Sequence, residues 1–149
     1  MDDQTTTPSA KKILVVDDDE VILRTLSITL SSNGYYAFLA PDGPEAVRVV
    51  TREKPDLIIL DITFPVDAAN VGGALQDGFF IIEWLRRMGE AQDIPIIIIS
   101  ADTSPKCKER AMAAKAVGFF AKPIDHVALL ATIEKVLGGE AKASPASQP

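Results

Sequence analysis

Five side chains with complementary chemistry each follow a short apolar stretch of the chain. These side chains are Asp17, Asp18, Asp61, Ser100 and Lys122. Carboxylates held close together repel one another, and a hard divalent cation with oxygen ligands relieves that repulsion. A magnesium site beside a lysine and a hydroxyl can bind phosphoryl oxygens, and a carboxylate there can act as a nucleophile that forms an acyl phosphate. The residue types therefore predict phosphoryl chemistry, provided that the fold brings them together.

The elements that would position these residues alternate between two patterns. Short runs rich in valine and isoleucine lie at residues 13–16, 36–39, 57–60, 96–99 and 118–121. Stretches of helical spacing separate them, such as Leu23, Leu26 and Leu30 at i, i+3 and i+7. This alternation predicts five β-α units and a parallel α/β sheet, because each crossover helix returns the chain to the same edge. The continuous apolar runs predict strands buried on both faces, with helices on both sides.

In such a sheet, ligands bind beyond the carboxyl ends of the strands. The five side chains follow four of the predicted strands, so we expect them to lie at one edge. Each has a plainer reading when taken alone. Asp19 has the residue type and position of a helix N-cap, and Asp61 could simply be a turn residue. Their joint placement favours a functional site.

Composition limits the class of protein. The chain has 149 residues, of which 47% are apolar and 24% charged, which suits one globular domain. The net charge of −6 argues against a general attraction to nucleic acid. The single Cys107 permits no internal disulfide, and no apolar run approaches the ~18–20 residues of a membrane span. We therefore expect a cytoplasmic domain over residues 12–138, with polar tails at 1–11 and 139–149.

Five segments give the chain a family resemblance. ILVVDDDEVILRTL, PDLIILDITFP, DGFFIIEWLR, PIIIISAD and GFFAKPI occur in this order within residues 12–138. In these segments the chain resembles the receiver domain of two-component response regulators. The resemblance implies a doubly wound, flavodoxin-like (βα)5 fold, with five parallel strands in the order 2-1-3-4-5. It also implies a phosphoacceptor switch that catalyses only its own phosphotransfer and autodephosphorylation.

The resemblance assigns roles to the acidic residues by position. Asp61 corresponds to the aspartate that accepts a phosphoryl group from a sensor histidine kinase or a phosphotransfer protein. Asp17 and Asp18 correspond to the acidic pair that holds Mg2+, with Asp18 as the expected direct ligand. Asp61 and the backbone carbonyl of Thr63 complete the implied metal site.

The resemblance also implies how the switch works. Lys122, which precedes a proline that usually follows a cis peptide bond, would contact the phosphoryl oxygens. Ser100 occupies the switch hydroxyl position and Phe119 the switch aromatic position, although Phe119 could instead be an ordinary core residue. Phosphorylation would then change the face formed by helix 4, strand 5 and helix 5, which would control a downstream protein partner.

The chain departs from the family pattern after the predicted phosphoacceptor. Eleven residues, 66–76, separate Pro65 from Asp77-Gly78, where most receivers have only a few. This segment could be a tolerated surface insertion, or a lid or kinase-specificity element. Asp102, two residues after the switch hydroxyl, could position a hydrolytic water or cap the next helix.

Further residues have weaker signals. Lys106, Lys108, Arg110 and Lys115 make the predicted fourth helix basic, with Lys108 and Lys115 on one face. That face could bind an acidic partner or simply be solvated. Trp84 is expected in the core or at a helix interface, and Cys107 is read as structural.

Two other functions, a phosphatase and an interaction module, are alternatives to the phosphoacceptor switch. The start of the predicted site, ILVVDDDEV, is similar to the nucleophile motif of haloacid-dehalogenase-type phosphatases. Those enzymes need a further acidic pair after the lysine, whereas Lys122 is followed by Asp125 and helix-bound Glu134. An interaction module without phosphorylation is disfavoured by the intact set of site residues. No helix-turn-helix is recognisable after the predicted domain, so we expect no direct nucleic-acid binding, whether the chain is a stand-alone receiver or a fragment.

Overall fold

Strands and helices alternate along the chain. The computed structural model describes residues 10–62 and 78–138. The elements are β1 (Lys12–Val16), α1 (Glu20–Ser32), β2 (Tyr36–Ala40), α2 (Gly43–Glu53), β3 (Leu57–Asp61), α3 (Gly78–Arg87), a 3-10 turn (Gly89–Ala91), β4 (Ile96–Ser100), α4 (Pro105–Ala113), β5 (Gly118–Ala121) and α5 (His126–Leu137). Thr63, the 66–76 segment and most of both expected tails lie outside the described residues. Within the described ranges, no helix is long and apolar enough to cross a membrane.

The five strands form one parallel sheet in the order β2-β1-β3-β4-β5. This confirms both the predicted α/β class and the strand order. The chain leaves β1 in one direction to reach β2 and then crosses to the other side of β1 for β3. The carboxyl ends of β1 and β3 therefore flank the topological switch point, which is where this class of sheet binds its ligands.

The central strands are buried on both faces, as their continuous apolar runs predicted. All residues of β3 and β4 are buried. Leu14, Ile58 and Ile98 belong to the core beneath α2, α3 and α4. Their neighbours Ile59 and Ile97 belong to the opposite core, beneath α1 and α5. This alternation fixes the sheet between two helical layers, so the strand ends present a rigid edge.

Side-chain caps set the starts of four helices. In each case an oxygen of the cap residue accepts a hydrogen bond from a backbone N–H in the first turn. The cap residues are Asp19, Asp42, Ser104 and Asp125. Pro44 and Pro105 lie in the first turns of α2 and α4, where the missing N–H of proline costs no helical hydrogen bond.

Two expectations about helix faces are wrong. Trp84 is 41% exposed, because the buried stripe of α3 runs through Ile81, Ile82 and Leu85, and Trp84 contacts Phe80 on the outer face. Lys115 does not share a helical face with Lys108, since α4 ends at Ala113. Its φ of 63° is left-handed and terminates the helix.

The two faces of α3 should differ in their contribution to stability. Leu85→Ala removes a fully buried side chain, so we expect the free energy of unfolding to fall by about 2–4 kcal/mol. Trp84→Ala should cost less than about 1.5 kcal/mol despite the larger truncation, because much of the ring is already exposed. Urea denaturation followed by circular dichroism measures both values. An equal or larger loss for Trp84→Ala would show that this face of α3 is covered in solution.

Candidate functional site

Three carboxylates converge at the carboxyl edge of the sheet. Asp61 is the last residue of β3, and Asp17 and Asp18 directly follow β1, its neighbour in the sheet. Oxygen atoms of the three side chains all lie within 4.8 Å of one another. Asp17 and Asp61 are buried, whereas Asp18 is exposed. The structure thus brings together the acidic residues that the sequence predicted.

Lys122 supplies the positive charge at this edge. Its Nζ lies 2.9 Å from Asp17 Oδ2 and 3.1 Å from Asp61 Oδ2. The residue follows β5, so its side chain reaches past β4 to arrive at the acidic residues. The peptide bond between Lys122 and Pro123 is cis, as the resemblance implied. Burial lowers the pKa of the Lys122 ammonium, but the neighbouring carboxylates of Asp17 and Asp61 outweigh this effect and hold the pKa above its ordinary value.

Asp17 is the carboxylate whose burial is least compensated. Its Oδ1 accepts a hydrogen bond from the Asp19 backbone N–H at 2.9 Å. Its Oδ2 is buried and has no hydrogen bond of good geometry, so the contact with Lys122 is an ion pair only. Burial raises the pKa of Asp17 to about 6, and the charge of Asp61 adds to this rise, while the Asp19 N–H and Lys122 oppose it.

The acidic cluster fits a magnesium ion. Carboxylate oxygens are the ligands that this ion prefers, and a buried carboxylate oxygen without a hydrogen bond is a natural ligand atom. One lysine does not balance the charge of three carboxylates, so a divalent cation would relieve the remaining repulsion. The predicted ligand Thr63 lies outside the described residues.

Ser100 is held by the backbone of the residue two positions further on. Its buried Oγ donates to the Asp102 carbonyl at 3.0 Å and accepts from the Asp102 N–H at 2.9 Å. Cys107 Sγ, which is buried as expected for a structural cysteine, lies 3.9 Å from the same oxygen. The hydroxyl would therefore have to give up both bonds with Asp102 in order to reach a phosphoryl group.

The Asp102 side chain shapes the turn before α4 and does not cap the helix. Its Oδ1 accepts a hydrogen bond from the Ser104 N–H at 2.9 Å, and Ser104 itself is the N-cap. Hydrogen bonding to the Ser104 backbone holds the pKa of the Asp102 carboxyl below its ordinary value. The expectation that Asp102 caps the next helix is therefore wrong.

Phe119 lies between the core and an open cavity. It pairs with Ile98 in the sheet, is half-buried and packs against the core beneath α4. A cavity of about 530 Å³ between α4 and β5 borders the ring, and Met112 and Val117 also line it. Phe119 thus contacts the core on one side and borders open space on the other, and its switch role stays a prediction.

Gly78 lies against the backbone of Asp61, a proximity that the sequence did not predict. It begins α3, and its N–H donates to the Ile62 carbonyl at 3.2 Å. A Cβ at this position would lie 2.7 Å from the Asp61 carbonyl oxygen and 2.4 Å from Ile62 Cα. Only glycine lets α3 approach the backbone of the predicted phosphoacceptor this closely. The glycine itself was the only signal in the sequence for this close approach. The eleven extra residues at 66–76 lengthen the spacing between Asp61 and Gly78, so the spacing gave no indication that the two are neighbours.

Known proteins of one family are similar to this chain. The model of the response regulator receiver domain family matches residues 13–134. The curated relatives include "Response regulator MprA" of Mycobacterium leprae, 35% identical over 126 residues, which are 85% of this chain and 50% of that protein. "Transcriptional regulatory protein PrrA" of Mycobacterium tuberculosis is 32% identical over 137 residues, which are 92% of this chain and 53% of that protein. The chain thus spans about half the length of these relatives.

Solved structures share the fold over most of the chain. The chemotaxis response regulator CheY4 of Vibrio cholerae is 32% identical with a TM-score of 0.73, and the match covers 87% of this chain and all of that one. A CheY-like receiver domain protein of Methanospirillum hungatei is 25% identical with a TM-score of 0.75, and the match covers 90% of this chain and 98% of that one.

The buried Asp17 carboxylate should destabilise the metal-free protein at neutral pH. Folding raises the pKa of Asp17 from 3.8 to about 6. Ionising Asp17 is therefore harder in the folded protein, so the free energy of unfolding is highest below pH 4 and falls as the pH rises through 6. Asp17→Asn should therefore raise the free energy of unfolding at pH 7.5 by about 1–2 kcal/mol in a chelator and flatten its pH dependence. Chemical denaturation between pH 4 and 8 measures this effect. The exposed Asp93→Asn serves as the control, and a destabilising Asp17→Asn at pH 7.5 would contradict the account.

Gly78→Ala should disturb the end of β3. The added Cβ would push against the Asp61 carbonyl, so we expect a loss of about 1–3 kcal/mol in the free energy of unfolding. Gly89→Ala is the matched control, because nothing lies within 4 Å of its added Cβ. Equal stability of the two variants, measured by urea denaturation, would mean that α3 does not press on the site.

Proposed function

The chain belongs to the family of response regulator receiver domains, and from this premise we propose that Asp61 accepts a phosphoryl group from a phosphohistidine. The family acts as a phosphoacceptor switch in two-component signal transduction, and its relation to histidine kinases follows from the response regulator relatives. The donor in this proposal is a sensor histidine kinase or a phosphotransfer protein of a phosphorelay. The observation that carries the proposal is the Lys122 ammonium bridging the buried carboxylates of Asp17 and Asp61.

The proposed step is a direct transfer between two side chains. An Asp61 carboxylate oxygen attacks phosphorus and forms the P–O bond of an acyl phosphate. The P–N bond of the phosphohistidine breaks, and its electron pair stays on the imidazole nitrogen, which takes up a proton from solvent. Lys122 Nζ, 3.1 Å from Asp61 Oδ2, is placed to donate hydrogen bonds to the phosphoryl oxygens as their charge develops.

Asp17, Asp18 and Asp61 would hold Mg2+, with the Thr63 carbonyl as a further ligand. When bound, the ion supplies positive charge that offsets the carboxylates and the phosphoryl oxygens. Asp17 has a second task, because its Oδ1 also fixes the turn into α1 through the Asp19 N–H. The same residue thus orients the acidic segment and contributes a ligand atom.

Ser100 and Phe119 would convert phosphorylation into a change of surface. The phosphoryl group adds negative charge and acceptor oxygens beside Ser100. Donating to it would cost the hydroxyl its two bonds with Asp102, each worth about 0.5–1.5 kcal/mol, and a charge-assisted bond is roughly twice as strong as a neutral one. The exchange is nearly balanced, so phosphorylation would shift an existing equilibrium. Phe119 would follow Ser100 inward and reshape the face of α4, β5 and α5.

The output of the switch is also part of the proposal. We assign it to a protein partner at the face of α4, β5 and α5, with no direct nucleic-acid contact, supported by the net charge of −6. PrrA is named a transcriptional regulatory protein, and that name describes a protein about twice as long. The cytoplasmic location and the extent of the receiver, residues 12–138 with the insertion at 66–76, belong to the same proposal.

Intact mass spectrometry tests the phosphoacceptor. Incubation with Mg2+ and acetyl phosphate should add the mass of one phosphoryl group to the parent protein, and a chelator should prevent this. Asp61→Asn should abolish the adduct, because the amide is not a nucleophile of this kind. Asp93→Asn, which changes the same charge at an exposed position, should leave it intact.

An adduct that persists in Asp61→Asn would contradict the assignment of the phosphoacceptor. The absence of an adduct in the parent protein would favour an interaction module that does not use phosphorylation.

A further inference from the structure

A groove between α3 and α4 opens at the edge of the sheet opposite the acidic cluster. Its volume is about 880 Å³. Pro95 and Val117, which line it, directly precede β4 and β5. Because the strands are parallel, the groove lies at their amino ends, whereas Asp61 lies at a carboxyl end. The groove is therefore distinct from the predicted phosphorylation site, and it adjoins the cavity beside Phe119 at Val117, which lines both.

The groove has an apolar floor and a predominantly cationic rim. Phe79, Ile82 and Ile94 contribute apolar surface. Among the described residues, four cationic side chains line the groove beside two acidic ones. The cationic residues are Arg86, Arg87, Arg110 and Lys115, and the acidic residues are Glu83 and Asp93. This local excess of positive charge stands out in a chain whose net charge is −6.

Two of the cations help to build the groove. Arg86 Nη1 donates to the carbonyls of Gln92 and Ile94 at 3.1 and 3.0 Å, which fixes the segment that leads into β4. The Arg110 guanidinium lies over the Phe79 ring, with Cζ 4.1 Å from the ring centre. These contacts hold the wall and the floor in place without a ligand.

The other two cations have no such task. Arg87 and Lys115 are exposed and form no ion pair with another described residue. Lys115 also occupies a left-handed conformation, with a φ of 63°, where glycine would be less strained. Its side chain therefore brings charge to the rim at a position where the backbone favours glycine.

We propose that this groove binds an acidic peptide segment of a partner protein. Carboxylates pair well with guanidinium groups, and the apolar floor suits the aliphatic side chains of a peptide. A nucleobase needs an exposed aromatic face for stacking. Phe79, the one aromatic residue among the described residues that line the groove, is 7% exposed and covered by Arg110. The chemistry of the groove thus favours a peptide over a nucleotide, and the proposal goes beyond phosphorylation of Asp61.

NMR spectroscopy of the full chain locates the binding surface. The probe is a ten-residue peptide of alternating glutamate and leucine, titrated at low salt, with a lysine–leucine peptide as the charge-reversed reference. We expect saturable shifts of backbone amides in residues 82–87 and 110–117, and no such shifts with the reference. Shifts confined to other surfaces, or none at all with the acidic peptide, would overturn the proposal.

Lys115→Gly separates binding from folding. The substitution relieves the left-handed backbone, so the variant should fold at least as stably as the parent protein while its affinity for the acidic peptide falls about two- to five-fold. Lys54→Gly is the matched control, because Lys54 also ends a helix with a positive φ of 49° but does not line the groove. Fluorescence anisotropy with the labelled peptide measures both affinities.

Equal weakening by Lys54→Gly and Lys115→Gly would show attraction to general positive charge and overturn the assignment of the groove. A single-stranded oligonucleotide of equal charge should compete poorly with the peptide. Stronger binding of the oligonucleotide at the same amides would overturn the peptide in favour of nucleic acid.

Discussion

Repulsion among three carboxylates is the constraint on which the rest of this site depends. Asp17 and Asp61 are buried beside each other, and Asp18 adds a third charge within 4.8 Å. Folding this cluster without positive charge would be costly, since burial penalises each ionised carboxylate. Lys122 relieves the cost only in part, because Asp17 Oδ2 still lacks a well-directed hydrogen bond. The edge therefore carries negative charge that Lys122 does not balance and that a further cation would offset.

The strand order explains how these residues meet. Asp17 and Asp61 come from neighbouring strands, so a short distance between them follows from the spacing of the sheet. Lys122 comes from beyond β4, and only a long, flexible side chain can cover that distance. Gly78 adds a restriction from the helical layer, because it lets α3 begin directly against the Asp61 carbonyl. Ser100 ends β4 at the same edge, and the proposed switch would move its side chain and leave the strand in place.

Most of the fold, and the convergence of the predicted site residues at one edge, could be predicted from the sequence. The apolar runs and the residues that follow them predicted the buried strands and placed Asp17, Asp61, Ser100 and Lys122 at one edge, because strand ends are fixed by the topology. The finer contacts could not be predicted. The two hydrogen bonds between Ser100 and the Asp102 backbone depend on the path of one turn. The end of α4 depends on Lys115, which adopts a left-handed conformation although it is not glycine.

The two wrong predictions about helix faces, for Trp84 and for Lys108 with Lys115, have a common origin. The periodicity of α3 indicated a helix but did not decide which of its apolar residues would face the core, and Trp84 lies on the outer face. Likewise, spacing grouped Lys108 with Lys115 although the helix ends between them. Lys108 instead lines the cavity beside Phe119, and Lys115 lines the groove between α3 and α4. Local pattern does not decide which face of a helix packs on the core or at which residue the helix ends.

Calorimetric titration of the unphosphorylated protein with Mg2+ tests the central claim most directly. If the crowded carboxylates form a cation site, the parent protein should bind one ion per chain at pH 7.5 and bind it more weakly at pH 5.5, where Asp17, with a pKa of about 6, is largely protonated. Asp17→Asn should weaken binding at pH 7.5 and remove much of this pH dependence. No saturable binding, or equal affinity of the parent and Asp17→Asn proteins, would contradict the account.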